Sequence, residues 1–176
     1  MSGIKPSTGA VSDRNTAVAR EVERLKRRVI WSERAGVDNW RQITFLYRVA
    51  DRFGDRILGH SFCRGEIGAS GCTTGCCCNC RPDVFASEQK VLDLLPKRLD
   101  NSGYCPFFNQ ARKNCGIYGV RPFACRVYFN LGSTVHYCRN PNDTTLLMFD
   151  SLKPHLERVL GAYMGGYVCG NSVPGE

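Results

Sequence analysis

Residues 70–85 read SGCTTGCCCNCRPDVF, and nine positions of that stretch carry five cysteines: Cys72, Cys76, Cys77, Cys78 and Cys80. Thiols crowded this closely pair as disulfides, hold metal or do thiol chemistry. The chain has 176 residues and 11 cysteines, an odd number, so complete internal pairing is impossible. The first residues, MSGIKPSTGAVSDRN, lack the basic start and apolar core of a secretory signal. No apolar run is long enough to cross a bilayer. The expectation is a soluble, cytoplasmic protein in a reducing compartment, where lasting disulfides are rare. Metal binding then accounts best for the cluster.

A second segment, residues 101–139, supplies Cys105, Cys115 and Cys125. It contains no Asp or Glu, but it holds Arg112, Lys113, Arg121, Arg126 and Arg139 among several Phe and Tyr residues. Four thiolates leave a bound Zn²⁺, or an oxidised cubane iron–sulfur core, with net negative charge. Basic side chains and N–H donors offset that charge, and an apolar shell excludes water. Arg121 and Arg126, close to Cys125, are the candidates for that supporting layer. Arg112 and Lys113 read as surface charge. Cys72, Cys76, Cys77, Cys78, Cys80, Cys105, Cys115 and Cys125 together make eight candidate ligands, enough for two four-thiolate sites. One four-thiolate cluster with spare thiols and a shared-thiolate zinc cluster remain open, because three consecutive side chains diverge on any regular backbone. Ferredoxin runs and a pair of Cys-x₂-Cys zinc knuckles are both absent. With the aromatic surroundings, that favours an iron–sulfur cluster of the 4Fe–4S kind, with Zn the alternative.

The stretch Cys115-Gly-Ile-Tyr-Gly-Val-Arg121-Pro-Phe-Ala-Cys125-Arg126-Val-Tyr128 resembles the signature of the YkgJ-like, or CxxCxxCC, cysteine-cluster proteins, described as zinc- or iron-chelating domains. Cys105-Pro106-Phe107 upstream is similar to that family, as is the helix start in CRPDVFASEQ after the first cluster. The resemblance covers about residues 63–130. It implies ligand roles for Cys115 and Cys125 and, with less of the motif behind it, for Cys105. The first cluster departs from the family pattern: it reads Cys-x₃-Cys-Cys-Cys-x-Cys. Measured back from Val84 and Glu88, Cys80 takes the last family position and Asn79 replaces its partner. In a second register Cys77-Cys78 is the family pair, with a longer linker.

The elements that must position these residues are mainly helical. Residues 1–12 are expected to lack fixed structure, residues 13–165 to form one domain, and residues 166–176 to form a loop tail. In the first helix Val18, Val22, Leu25 and Val29 share a face. Its other face carries Arg20, Arg24, Arg27 and Arg28, read as solvated rather than as a nucleic-acid patch. A second helix starts after Asp38 with the stripe Trp40, Ile43, Tyr47, Ala50 and Phe53 and ends at Gly54 or Gly59. A third follows Ser87 with Val91, Leu94 and Leu95 and stops at Pro96. A fourth carries Phe149, Leu152, Leu156, Val159, Leu160 and Tyr163, bent by Pro154. Residues 125–138 suggest a short hairpin turning at Leu131-Gly132-Ser133. The fold class is therefore a small, mainly α domain of about four helices with irregular cysteine-rich metal-binding loops.

The formal net charge of +8 permits acidic partners without identifying one. His60, His136 and His155 read as ordinary packed or surface histidines, and Cys63, Cys138 and Cys169 as isolated thiols. No phosphate-cradling loop, dinucleotide fingerprint, methyl-donor motif or Ser/His/Asp arrangement is legible. The expected function is a metal-binding protein with an iron–sulfur cluster that serves electron transfer, redox sensing or a protein partner. A zinc-stabilised interaction module and a cluster-dependent enzyme of unknown substrate are the alternatives.

Overall fold

The computed structural model describes residues 8–35, 39–61, 83–97, 105–109, 111–112, 114–129, 131 and 151–166. These form a mainly helical domain with two small antiparallel strand pairs. Helix α1 spans Thr8–Arg34 and α2 spans Asn39–Leu58. At one end of the pair Gln42 donates from Nε2 to the Ser32 carbonyl, 2.7 Å away, and so satisfies an acceptor in the last turn of α1. At the other end Arg56 reaches Glu21. The two helices are therefore antiparallel.

Strand β1 (Asp83–Phe85) runs directly into α3 (Ala86–Asp93). Strands β2 (Phe108–Asn109) and β3 (Asn114–Cys115) make a tight hairpin. A 3₁₀ turn at Tyr118–Val120 leads to the short α4 (Phe123–Val127). Helix α5 (Lys153–Leu160) is followed by β4 (Tyr163–Gly166), which pairs with β1. Gly161 makes the turn between them at φ +83°, a conformation that favours glycine.

The main core joins the two long helices to α4 and α5. Leu25, Val29, Leu46, Ala50, Phe53, Ile57, Phe123, Leu156 and Leu160 are all buried in it. Each side chain of Leu or Phe size withdrawn from water contributes about 1.5–3 kcal/mol, which is what holds α4 against α2. A second cluster, Val84, Leu92 and Phe107, sits under the hairpin and packs against Cys105 and Ile117.

The apolar face expected of the first helix is present: Leu25 and Val29 are buried, and Val18 and Val22 pack against them. That helix begins at Thr8 rather than near Asp13. In α2, Ala50 and Phe53 are buried, Ile43 and Tyr47 lie against the core, and Gly54 is inside the helix; the side chain of Trp40 lies outside the described residues.

Three sequence expectations need correction. Val91 and Leu94 are exposed: α3 buries Glu88 and Leu92 instead, and Leu94 lies past its last residue. Pro154 lies in the first turn of α5, where a missing N–H costs no helical hydrogen bond, and Tyr163 belongs to β4. Cys125, Arg126 and Val127 are helical, not the start of a strand. Phe149 and the turn at Gly132 and Ser133 lie outside the described residues.

Candidate metal centre

The Cys115–Arg126 motif is shaped by backbone constraints before any thiol is considered. The Phe108 N–H donates to the Cys105 carbonyl at 2.9 Å, closing a turn ahead of β2. Phe108 then pairs with Cys115 across the hairpin. The Gly116 N–H donates to the Phe107 carbonyl at 2.7 Å, and a Cβ on Gly116 would stand 2.9 Å from that same oxygen. Only glycine fits this close approach. Pro122, extended at φ −55° and ψ 158°, ends the 3₁₀ turn and starts α4, which carries Cys125 and Arg126.

Arg126 is buried and spends its whole guanidinium on the protein. It donates from Nη1 to both carboxylate oxygens of Asp51 at 2.7 and 2.8 Å, from Nε to the Arg121 carbonyl at 2.9 Å, and from Nη2 to the Gly119 carbonyl at 2.7 Å. Its guanidinium also lies over the Tyr47 ring, 4.3 Å from the centroid. Residues 101–139 contain no acid to compete for Arg126, but Asp51 of α2 does so from outside that window. Arg126 is a clamp between the cysteine motif and α2, and its charge is already matched.

Glu88 is the second clamp. Its side chain is buried and accepts three hydrogen bonds: from the Phe123 N–H at 2.7 Å, the Phe85 N–H at 3.1 Å and the Tyr47 hydroxyl at 2.8 Å. Phe123 N–H is an orphan donor at the start of α4, and Phe85 N–H one at the start of α3, so a single carboxylate caps two helices. Burial pushes the Glu88 carboxyl above its ordinary value, while the two N–H donors, Tyr47 and Arg126 oppose that rise. Burial also raises the Tyr47 phenol, reinforced by Glu88, with the Cys125 thiol a smaller contributor in the same direction. Tyr47 therefore stays a donor at neutral pH.

Cys105, Cys115 and Cys125 are all partly buried. Cys105 and Cys115 are tied to one hairpin, and Cys125 sits one 3₁₀ turn and one proline further along. Arg121 lies between the last two in sequence, its guanidinium over the Tyr118 ring at 4.0 Å and 4.0 Å from Asp51. The Arg121 Nε is buried and finds no acceptor among the described residues. A buried N–H without an acceptor is costly. An unsatisfied cationic N–H on the segment that carries Cys115 and Cys125 is the kind of donor that an anionic thiolate–metal group accepts from.

Among the described residues no three Cys, His, Asp or Glu side chains converge on one point. Cys72, Cys76, Cys77, Cys78 and Cys80 lie outside the described residues, as do Cys63, Cys138, Cys169 and His136. The His155 Nδ1 lies 2.7 Å from the Glu33 carboxylate, so that ring is taken up by a contact away from the cysteines.

Sequence reasoning passed over Asp51, used Glu88 only as a mark for the cysteine register, and read Tyr47 as plain core. Tyr47 and Asp51 are spaced i, i+4 on an otherwise apolar face, and that spacing was the available signal. No protein-family model, curated protein or solved structure matches the chain.

Proposed function

We propose that the chain holds a thiolate-ligated iron–sulfur cluster of the 4Fe–4S kind, as its resemblance to the CxxCxxCC cysteine-cluster proteins implies. Its work is electron transfer, redox sensing or support of a partner enzyme in the cytoplasm. The observation that carries the reading is the unsatisfied Arg121 Nε buried on the same short segment as the partly exposed Cys115 and Cys125. Cys105, Cys115 and Cys125 would supply thiolates, completed from Cys72, Cys76, Cys77, Cys78 and Cys80. When bound, the group supplies one-electron chemistry.

The chain's own contribution is positional. Gly116 lets the hairpin close behind Cys115. Glu88 and Arg126 fix α4, and hence Cys125, to α2 and α3. Arg121 offers a donor and a positive charge to the thiolates, and Phe107, Phe108 and Phe123 keep water from the backbone behind them.

The test is anaerobic purification followed by iron, sulfide and zinc analysis with an absorption spectrum. Iron with acid-labile sulfide, lost in Cys115→Ser and Cys125→Ser but kept in Cys169→Ser, is the expected result. Stoichiometric zinc without sulfide, in protein from iron-replete cells, overturns it and leaves a zinc-stabilised interaction module.

A further inference from the structure

A concentration of positive charge on the described surface lies away from the cysteine motif, between α1 and α2. A groove of about 130 Å³ there is lined by Arg24 and Arg28 from the first helix and by Arg52 and Arg56 from the second. Its floor is the apolar core, with Leu25 and Phe53 buried beneath it. Glu21 is the one acid in the lining. It is already used twice, by Arg24 and by Arg56, the latter at 3.1 Å. Among the described residues Arg28 and Arg52 make no ion pair. The acid next to Arg52 in sequence, Asp51, is held by Arg126 instead.

The arrangement follows from the antiparallel helix pair. Arg24 and Arg28 are one turn apart on α1, and Arg52 and Arg56 are one turn apart on α2. Two arginines from each helix therefore line the two sides of the seam, all four exposed to solvent. Four cations against one carboxylate leave a strong positive excess in a concave site with low-dielectric walls, where the field is focused. Guanidinium forks pair bidentately with tetrahedral oxyanions, and the groove offers such forks from two sides.

We propose that this groove binds a compact polyanion of the phosphate class, either free or as the terminal group of a small phosphoester. Arg28 and Arg52 are its principal ligands. Arg24 and Arg56 are shared with Glu21, which acts as a built-in competitor. The proposal is independent of the metal at the cysteine motif.

Titration calorimetry of the full-length chain with inorganic pyrophosphate, and separately with phosphate, tests it. Saturable one-to-one binding of pyrophosphate is expected, weakened about tenfold by Arg28→Gln or by Arg52→Gln. Both residues are exposed and unpaired among the described residues, so the fold survives these changes. Glu21→Gln releases two guanidinium groups and is expected to tighten binding severalfold, a gain that damage to the fold cannot imitate. Arg20→Gln, on the same helix outside the groove, is expected to change nothing. A small phosphoester that competes with pyrophosphate identifies the esterified form as a ligand, and failure to compete leaves the free anion. Absence of saturable binding, or equal weakening by Arg20→Gln and Arg28→Gln, overturns the proposal. So does tight binding of a single-stranded oligonucleotide that pyrophosphate does not displace, because the basic surface would then read nucleic acid.

Discussion

Replacing Glu88 should damage the fold in proportion to the donors left behind. Three donors converge on its carboxylate, and two of them are main-chain N–H groups that cannot turn away. In Glu88→Ala both lose their acceptor inside the protein, at about 1–3 kcal/mol each. The expected loss is therefore about 2–6 kcal/mol before any packing defect. Glu88→Gln keeps one carbonyl oxygen, strands only one N–H and removes the burden of a buried charge, so its loss should be no more than about 1–3 kcal/mol. Tyr47→Phe removes one donor but leaves Glu88 bonded to both N–H groups, and it should cost about 1 kcal/mol. Urea unfolding followed by circular dichroism reads these differences. At a slope of about 2 kcal/mol/M, a 4 kcal/mol loss moves the midpoint by about 2 M. The pH dependence adds a second reading. The carboxyl is raised in the folded protein, so between its ordinary value of 4.5 and the raised one the native state binds more protons than the unfolded chain. Stability from this group therefore falls as pH rises through that window, and Glu88→Gln should abolish the slope. If Ala and Gln cost the same, and less than about 0.5 kcal/mol, Glu88 does not cap α4 and the account of the clamp is wrong.

Arg126→Ala should cost about 2–4 kcal/mol, less than a fully buried pair because Asp51 is half-exposed, and Arg126→Lys should recover under half of it in the same unfolding assay. Gly116→Ala drives a Cβ into the Phe107 carbonyl and should destabilise by about 1–3 kcal/mol. Gly54→Ala brings a Cβ to 3.2 Å from the Phe129 ring, which packs edge-on against Phe53, so the crowding should offset the gain in helix propensity of about 1 kcal/mol and leave the melting temperature within a few degrees of the native protein's. Glu33 is held down to about 2 by its hydrogen bonds to Arg158 and then to His155. Its stabilising contribution is therefore present above 4.5 and lost as pH falls toward 2, so thermal melts of the native protein and Glu33→Gln should differ at neutral pH and converge in acid.

The helical frame was legible because α1 and α2 are long enough for a 3.6-residue period to show. Leu25, Val29, Ala50 and Phe53 fall where that period puts them. The strands were not legible: two to four residues carry no period, and β1 and β4 meet only through the fold, as Phe85 opposite Tyr163. The third helix misled because its outward Val91, and Leu94 just past its end, are as apolar as its inward Leu92. What distinguishes them is Glu88, whose burial depends on N–H groups supplied by Phe85 and by Phe123, 35 residues on. Arg126 shows the same limit. Its neighbours in sequence are free of acids, and its partner lies 75 residues earlier.

That separation also fixes an order of assembly. The α1–α2 pair can close as soon as it is synthesised, but Asp51 then waits 75 residues for Arg126. At about 5–20 residues per second the wait lasts about 4–15 s. All five cysteines of residues 72–80 leave the ribosome before the segment bearing Cys105, Cys115 and Cys125 has emerged. The nascent chain thus exposes its densest thiols before it has made the clamp that positions the others. Protection of those thiols in the first seconds must come from the surroundings, and Arg126 closes the fold only once the last of the eight candidate ligands has been made.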